Sequence, residues 1–187
     1  MTDLVIVDYG MGNLRSVQKA FAEVGFDAAI TSEPDRAGRA THLVLPGVGA
    51  FADAIGALRS RKLDQPILSH LQADKPFLGI CLGLQLLFER GLEDGDHTGL
   101  GWFKGDVVRF PDREGLIVPH MGWNIAERTR PCPLTNHLDG EIRFYFVHSY
   151  CVRTDDPGHT VLQTHYGIDF AAAVHHQNIM GAQLDRK

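Results

Sequence analysis

The pattern of apolar and polar positions changes character near Arg90. Before it, apolar residues come in continuous runs, separated by stretches with helical spacing. Leu4-Val5-Ile6-Val7-Asp8 reads as a buried strand that ends in the glycine-rich turn Tyr9-Gly10-Met11-Gly12-Asn13. Leu14, Val17, Phe21 and Val24 then fall on one helical face, which Gly25 stops. Asp27 to Thr31 gives a second strand and His42-Leu43-Val44-Leu45-Pro46 a third, closed by Pro46-Gly47. One predicted helix carries Phe51, Ile55 and Leu58, and the next carries Ile67, Leu68 and Leu71. Phe77 to Ile80 is the fourth run, followed by Leu84, Leu87 and Phe88 at spacings of three and four. Continuous apolar strands alternating with helices predict a parallel sheet covered on both faces.

After Arg90 the apolar segments are short and alternating. They are Gly105 to Phe110, Ile142 to Val147, Thr160 to Thr164, and a last pair, Phe170 to Val174 and Asn178 to Gln183, joined at His175-His176-Gln177. They predict an antiparallel layer on the parallel sheet. The expected class is α/β, mainly parallel and flanked by helices. Residues 1–187 form a single domain, because no linker, repeat or low-complexity stretch interrupts them.

Composition narrows the function classes. The chain has 187 residues, 44% hydrophobic and 22% charged, with a net charge of -5, so no basic footprint for nucleic acid is expected. No apolar run has the length of a membrane span, and Met1-Thr2-Asp3 lacks the opening of a signal peptide. The three cysteines, Cys81, Cys132 and Cys151, suit a reducing compartment better than a disulfide framework, so a cytoplasmic location is expected. The ten histidines show no spacing of zinc-ligand type, and neither metal nor cofactor is expected.

Cys81 is the residue most suggestive of chemistry. It stands where the Phe77–Ile80 run gives way to helical spacing, between Gly79 and Gly83. That is the arrangement of a nucleophile elbow with sulfur in place of oxygen, the helix N-terminus favouring the thiolate. The alternative is a small buried hydrophobe, the commoner fate of a strand cysteine. Pro46-Gly47-Val48-Gly49-Ala50 lies at the C-terminal end of a strand, where open parallel sheets place ligands. Its glycines either let backbone N–H groups approach an oxyanion or simply form a tight turn. Gly10-Met11-Gly12-Asn13 lacks the third glycine of a dinucleotide fingerprint. Pro119-His120-Met121-Gly122-Trp123-Asn124 reads as a loop, either displaying Met and Trp to a partner or tucking Trp123 into the core. His148-Ser149-Tyr150 offers polar groups at a strand end, and His175-His176 reads as a solvated turn.

Five segments, in order, resemble the signatures of class I glutamine amidotransferases, and among these most closely the glutaminase subunits of imidazole glycerol phosphate synthase, in histidine biosynthesis. They are Asp8 to Asn13, Pro46 to Gly49, Gly79 to Gln85, Pro119 to Asn124 and Tyr145 to Tyr150, within a resemblance running from Val5 to about Gln183. The resemblance implies a flavodoxin-like core. It implies that Cys81 attacks the side-chain amide of glutamine and forms a thioester. Backbone N–H groups at Val48, Gly49 and Leu82 would hold the oxyanion. Gly47, Gln85, His148, Ser149 and Tyr150 would bind the substrate. Ammonia would pass to a separate cyclase subunit, which makes imidazole glycerol phosphate and AICAR, in a heterodimer with Asn13, Met121, Trp123 and Asn124 at or near the interface.

The resemblance fails at the last residues. The family continues through Gly-x-Gln-Phe-His-Pro-Glu, whose His is the base paired to the cysteine and whose Glu orients it. Here Asp185 stands at the His position and Lys187 at the Glu position. A carboxylate with an ordinary pKa near 4 is a poor proton shuttle for a thiol near 8.5, and its charge disfavours a nearby thiolate. Two readings follow: a glutaminase subunit with an altered or truncated tail, and a subunit that docks on the cyclase without making ammonia. A cysteine hydrolase of another kind would leave Pro119–Asn124 unexplained. Absence of the family's last helix predicts exposed apolar surface on the sheet.

Overall fold

A computed structural model describes residues 3–184. The four apolar runs of the first half form strands β1 (Leu4–Val7), β2 (Ala28–Thr31), β3 (His42–Gly47) and β4 (Phe77–Cys81). Between them lie helices α1 (Leu14–Glu23), α2 (Pro34–Arg39), α3 (Phe51–Ser60) and α4 (Asp64–Gln72). Helix α2 carries too little apolar residue in six positions to show periodicity, and the sequence pattern gives no sign of it. The one-turn α5 (Leu82–Gln85) follows β4 directly.

The second half supplies β5 (Phe88–Gly91), β6 (His97–Thr98), β7 (Phe103–Arg109), β8 (His120–Ile125), β9 (Glu127–Arg128), β10 (Arg143–His148), β11 (Tyr150–Thr154), β12 (Thr160–Tyr166), β13 (Ile168–His176) and β14 (Ile179–Ala182). The main sheet has the order β2-β1-β3-β4-β14-β13-β12-β9. Its strands are parallel from β2 through β14 and antiparallel beyond. The expected antiparallel layer is therefore only partly a layer. Strands β13, β12 and β9 extend the parallel sheet edge to edge, whereas β11-β7-β5-β6 and the β8–β10 ribbon form separate sheets. β14 was expected to close an antiparallel pair; it pairs that way with β13 and parallel with β4 on its other side.

Three further expectations are corrected. The helical spacing after Cys81 yields a single turn, because Phe88 leaves it to pair with Phe103 across β5 and β7. Val24 does not share the inward face of α1: the helix ends at Glu23 and Val24 is 67% exposed. The turn between β13 and β14 lies at Gln177-Asn178, and His175 and His176 belong to β13, opposite Met180 and Ile179.

One face of the main sheet buries Val5, Val7, Leu43, Leu45 and Phe77 against Phe51, Ile55 and Leu58 of α3 and Ile67 and Leu71 of α4. Each such Leu, Ile or Phe contributes roughly 1.5–3 kcal/mol when fully buried. The other face is thinner. Leu14, Val17 and Phe21 of α1 pack there while remaining partly exposed. Leu78 and Ile80 of β4 are also half-buried, and they border an apolar groove of about 280 Å³ with Leu134, Leu138 and Phe144.

Candidate active site

The sharp turn at Cys81 rests on close backbone approach. A β-carbon at Gly83 would lie 1.7 Å from the Leu45 carbonyl oxygen, and one at Gly79 would lie 2.7 Å from the Gly83 carbonyl oxygen. Only glycine permits this spacing, so α5 can fold back against β3 and β4. Cys81 itself takes φ 55 and ψ -113, a conformation unfavourable for a residue with a β-carbon. This is the strained strand-to-helix elbow that presents a nucleophile above a sheet. The following helix is too short to supply a full macrodipole, so the thiolate owes less to it than the sequence suggested.

Cys81 opens onto a pocket of about 390 Å³. One wall is Val48 and Gly49, another is Leu82 and Gln85, and a third is Val147, His148, Ser149 and Tyr150, with Pro119 and Glu93 at the margins. Segments from five regions of the sequence thus line one pocket with the sulfur. The pairing of Gly47 with Cys81 across β3 and β4 places the Val48-Gly49 loop beside the elbow. Met11 braces this loop from the first turn, since a β-carbon at Gly49 would lie 2.8 Å from its Cε.

Gly47 is a correction. It is buried behind the pocket, where a β-carbon would lie 2.4 Å from the Tyr9 hydroxyl and 2.9 Å from Leu82 Cβ, and it does not line the cavity. Gln85 lines the pocket, but its Nε2 donates to the Tyr150 carbonyl at 3.1 Å and to Gln183 Oε1 at 2.8 Å. Both its N–H groups are committed to the protein, so only its oxygen can face a substrate. His148 is 8% exposed, and its Nδ1 donates to the Tyr150 carbonyl at 2.8 Å. Burial pushes its pKa down to about 4, so the ring is neutral at pH 7 and cannot attract a carboxylate as a cation. It orders the strand end that carries Ser149 and Tyr150.

Pro119–Asn124 is not a loop. His120–Ile125 is β8, paired antiparallel with β10 so that His120 faces His148 and Trp123 faces Tyr145. Alternation along the strand sends Met121, Trp123 and Ile125 outward and His120 and Asn124 inward. The Asn124 side chain donates to the His165 carbonyl at 3.0 Å and contacts His120 Nε2 at 3.3 Å, so it is turned away from the exposed face. Met121 and Trp123 are 62% and 64% exposed. Asn13 is exposed too, and its Oδ1 accepts the Ser16 N–H at 3.3 Å as the cap of α1.

Besides Gln183, whose Nε2 donates to Cys81 Sγ at 3.3 Å, two residues at the site escaped the sequence reading. Glu93 borders the pocket while its Oε2 accepts the Phe51 N–H at 2.7 Å, which caps α3. Its carboxylate is suited to an ammonium group. The Tyr9 hydroxyl is buried with no hydrogen-bond partner among the described residues, and burial, then the charge of Cys81, raises its pKa. It stays a neutral phenol beside the elbow. His175 and His176 lie by the Phe77 end of β4, since Ile179 pairs with both His176 and Phe77. The four residues to Cys81 span roughly 13 Å, so neither histidine serves the sulfur. Asp185 and Lys187 lie outside the described residues.

A strained cysteine elbow at the C-terminal edge of a parallel sheet, beside the Val48-Gly49 loop, has the form of the nucleophile elbow of α/β proteins. The family model described as glutamine amidotransferase class-I matches residues 5–184, and the chain belongs to that family. Among curated relatives, imidazole glycerol phosphate synthase subunit HisH of Rhodopirellula baltica is 51% identical over 181 residues, covering 97% of this chain and 88% of the relative. The protein of the same name from Syntrophotalea carbinolica is 49% identical over 186 residues, covering 97% and 90%. A solved structure described as a glutamine amidotransferase superposes with a TM-score of 0.75 at 14% identity, covering 97% of this chain and 89% of that one, and so shares the fold.

Proposed function

We propose that this chain is the glutaminase subunit of imidazole glycerol phosphate synthase, working in histidine biosynthesis. The observation that carries the reading is the convergence of the Cys81 elbow, the Val48-Gly49 loop and the Ser149-Tyr150 strand end on one pocket, in a chain about half identical to relatives of that name. Cys81 Sγ attacks the side-chain carbonyl carbon of glutamine. The carbonyl oxygen gains charge and is held by backbone N–H groups at Val48, Gly49 and Leu82. Collapse of the tetrahedral species forms the thioester and, with one proton added to the leaving nitrogen, releases ammonia. Water then hydrolyses the thioester to glutamate and restores the thiol. Glu93 faces the substrate's α-ammonium group, and the Ser149-Tyr150 backbone steadies its carboxylate end.

The ammonia goes to a cyclase subunit in a cytoplasmic heterodimer, whose combined activity is that of a lyase. The outward face of the β8–β10 ribbon supplies the docking surface. Met121, Trp123, Ile125 and Val147 are exposed hydrophobics on it, and Trp123 meets Tyr145 edge-on at 5.8 Å. Such a patch marks a protein contact. Titrated by calorimetry with the cyclase, Trp123→Ala should bind roughly tenfold or more weakly than the parent, as a central aromatic anchor does. Asn13→Ala should cost less, because Asn13 is engaged in capping α1. Equal affinity of Trp123→Ala and parent would place the interface elsewhere.

A further inference from the structure

The sheet register sets Gln183 beside the reactive sulfur. Ala182 of β14 pairs with Ile80 of β4, so the next residue along, Gln183, lies across from Cys81. Its backbone N–H is fixed by the Ala172 carbonyl at 2.8 Å, and the residue is 2% exposed. Gln183 Nε2 donates to Cys81 Sγ at 3.3 Å. The amide cannot turn over without loss, because its Oε1 accepts from Gln85 Nε2 at 2.8 Å. Gln85 in turn is oriented by the Tyr150 carbonyl. A relay of three groups therefore aims an N–H at the sulfur. We infer that Gln183 is a positioning residue that holds the Cys81 sulfur as its thiolate and points it into the pocket.

The inference rests on the reading of Cys81 as the nucleophile. A hydrogen bond to the charged form of a group favours that form, and a buried, preoriented donor does so without adding a counter-charge. Among the described residues, the other titratable groups around the sulfur are Glu93, His148 and Tyr150 in the pocket and Tyr9 behind it. Glu93 opposes the thiolate when charged, and the other three are neutral near pH 7.

The test is the pH dependence of Cys81 alkylation by iodoacetamide, read by mass spectrometry of the Cys81 peptide. Cys132 and Cys151 are buried and serve as internal controls. Gln183→Met keeps the volume and removes the donor. Gln183→Leu, also neutral and without a donor, decides the matter if the Met variant does not fold. Both should raise the alkylation midpoint by about one pH unit and slow alkylation at pH 7 roughly tenfold. A folded Gln183→Met or Gln183→Leu with the midpoint and rate of the parent would overturn the inference. Glutamine added to the parent separates the two readings. Failure of glutamine to slow Cys81 alkylation would sink the glutaminase pocket, while the difference between parent and variant would still decide Gln183.

Discussion

Mixed with the cyclase, a protein of these 187 residues is expected to hydrolyse glutamine roughly 10³–10⁶-fold more slowly than a HisH relative assayed beside it. Removing one member of a nucleophile–base unit typically costs on this scale. Among the described residues the histidine that lines the pocket is His148, whose Nδ1 is bound to the Tyr150 carbonyl and whose pKa is pushed down to about 4. His175 and His176 sit at the far end of β4. Asp185 stands where the family resemblance calls for the base. Asp185→His alone should recover little, because Lys187 stands where the family pattern has the Glu that orients the ring. Asp185→His, Arg186→Pro and Lys187→Glu together, with a family tail appended, should recover partner-stimulated turnover. Ammonia release in a coupled assay reads both. Ordinary turnover by the 187-residue protein would mean that another residue takes the proton.

The second large effect is on stability in acid. His120 is 2% exposed and sandwiched between Tyr166, at 3.9 Å and 19°, and Phe146, at 4.8 Å and 17°. Burial, with His148 nearby, holds its pKa down to about 4, and burial does the same for His148. The unfolded chain binds these protons near pH 6.5 and the folded chain only near pH 4. Stability is therefore fully present above about pH 6.5 and falls as pH drops toward 4. The loss is at most about 3 kcal/mol for each histidine. Urea midpoints at pH 7 and pH 4.5 should show the fall in the parent and roughly half of it in His120→Phe, whose ring suits the same sandwich and which keeps His148. Parallel falls in both proteins would rule out His120 as a cause.

The parts of the fold legible in sequence are those whose signal is local. Leu4–Val7 and His42–Pro46 announce buried parallel strands because both faces are covered and the apolar runs are unbroken. Gly79 and Gly83 announce the elbow because backbone atoms come within a β-carbon's radius. The hidden parts depend on distant partners. Phe88 has helical spacing from Leu84, and only its pairing with Phe103 makes it strand. The β8–β10 ribbon inverts the usual pattern, with His120 and Asn124 inside and Met121 and Trp123 outside, so alternation there reads as a loop. Gln183 gives no sign of its role, because that role exists only through the β14–β4 register.

The most direct test of Cys81 as a glutamine-directed nucleophile is labelling by a glutamine analogue that carries a chloroketone in place of the side-chain amide. Nucleophilic displacement forms a carbon–sulfur bond at Cys81 and expels chloride, with no later hydrolytic step that needs a base. Peptide mass spectrometry should find one label, on Cys81, formed over hours and slowed by excess glutamine, with Cys132 and Cys151 unmodified and no label in Cys81→Ser. Label on Cys132 or Cys151 instead, or label on Cys81 at a rate that glutamine does not change, would contradict the account.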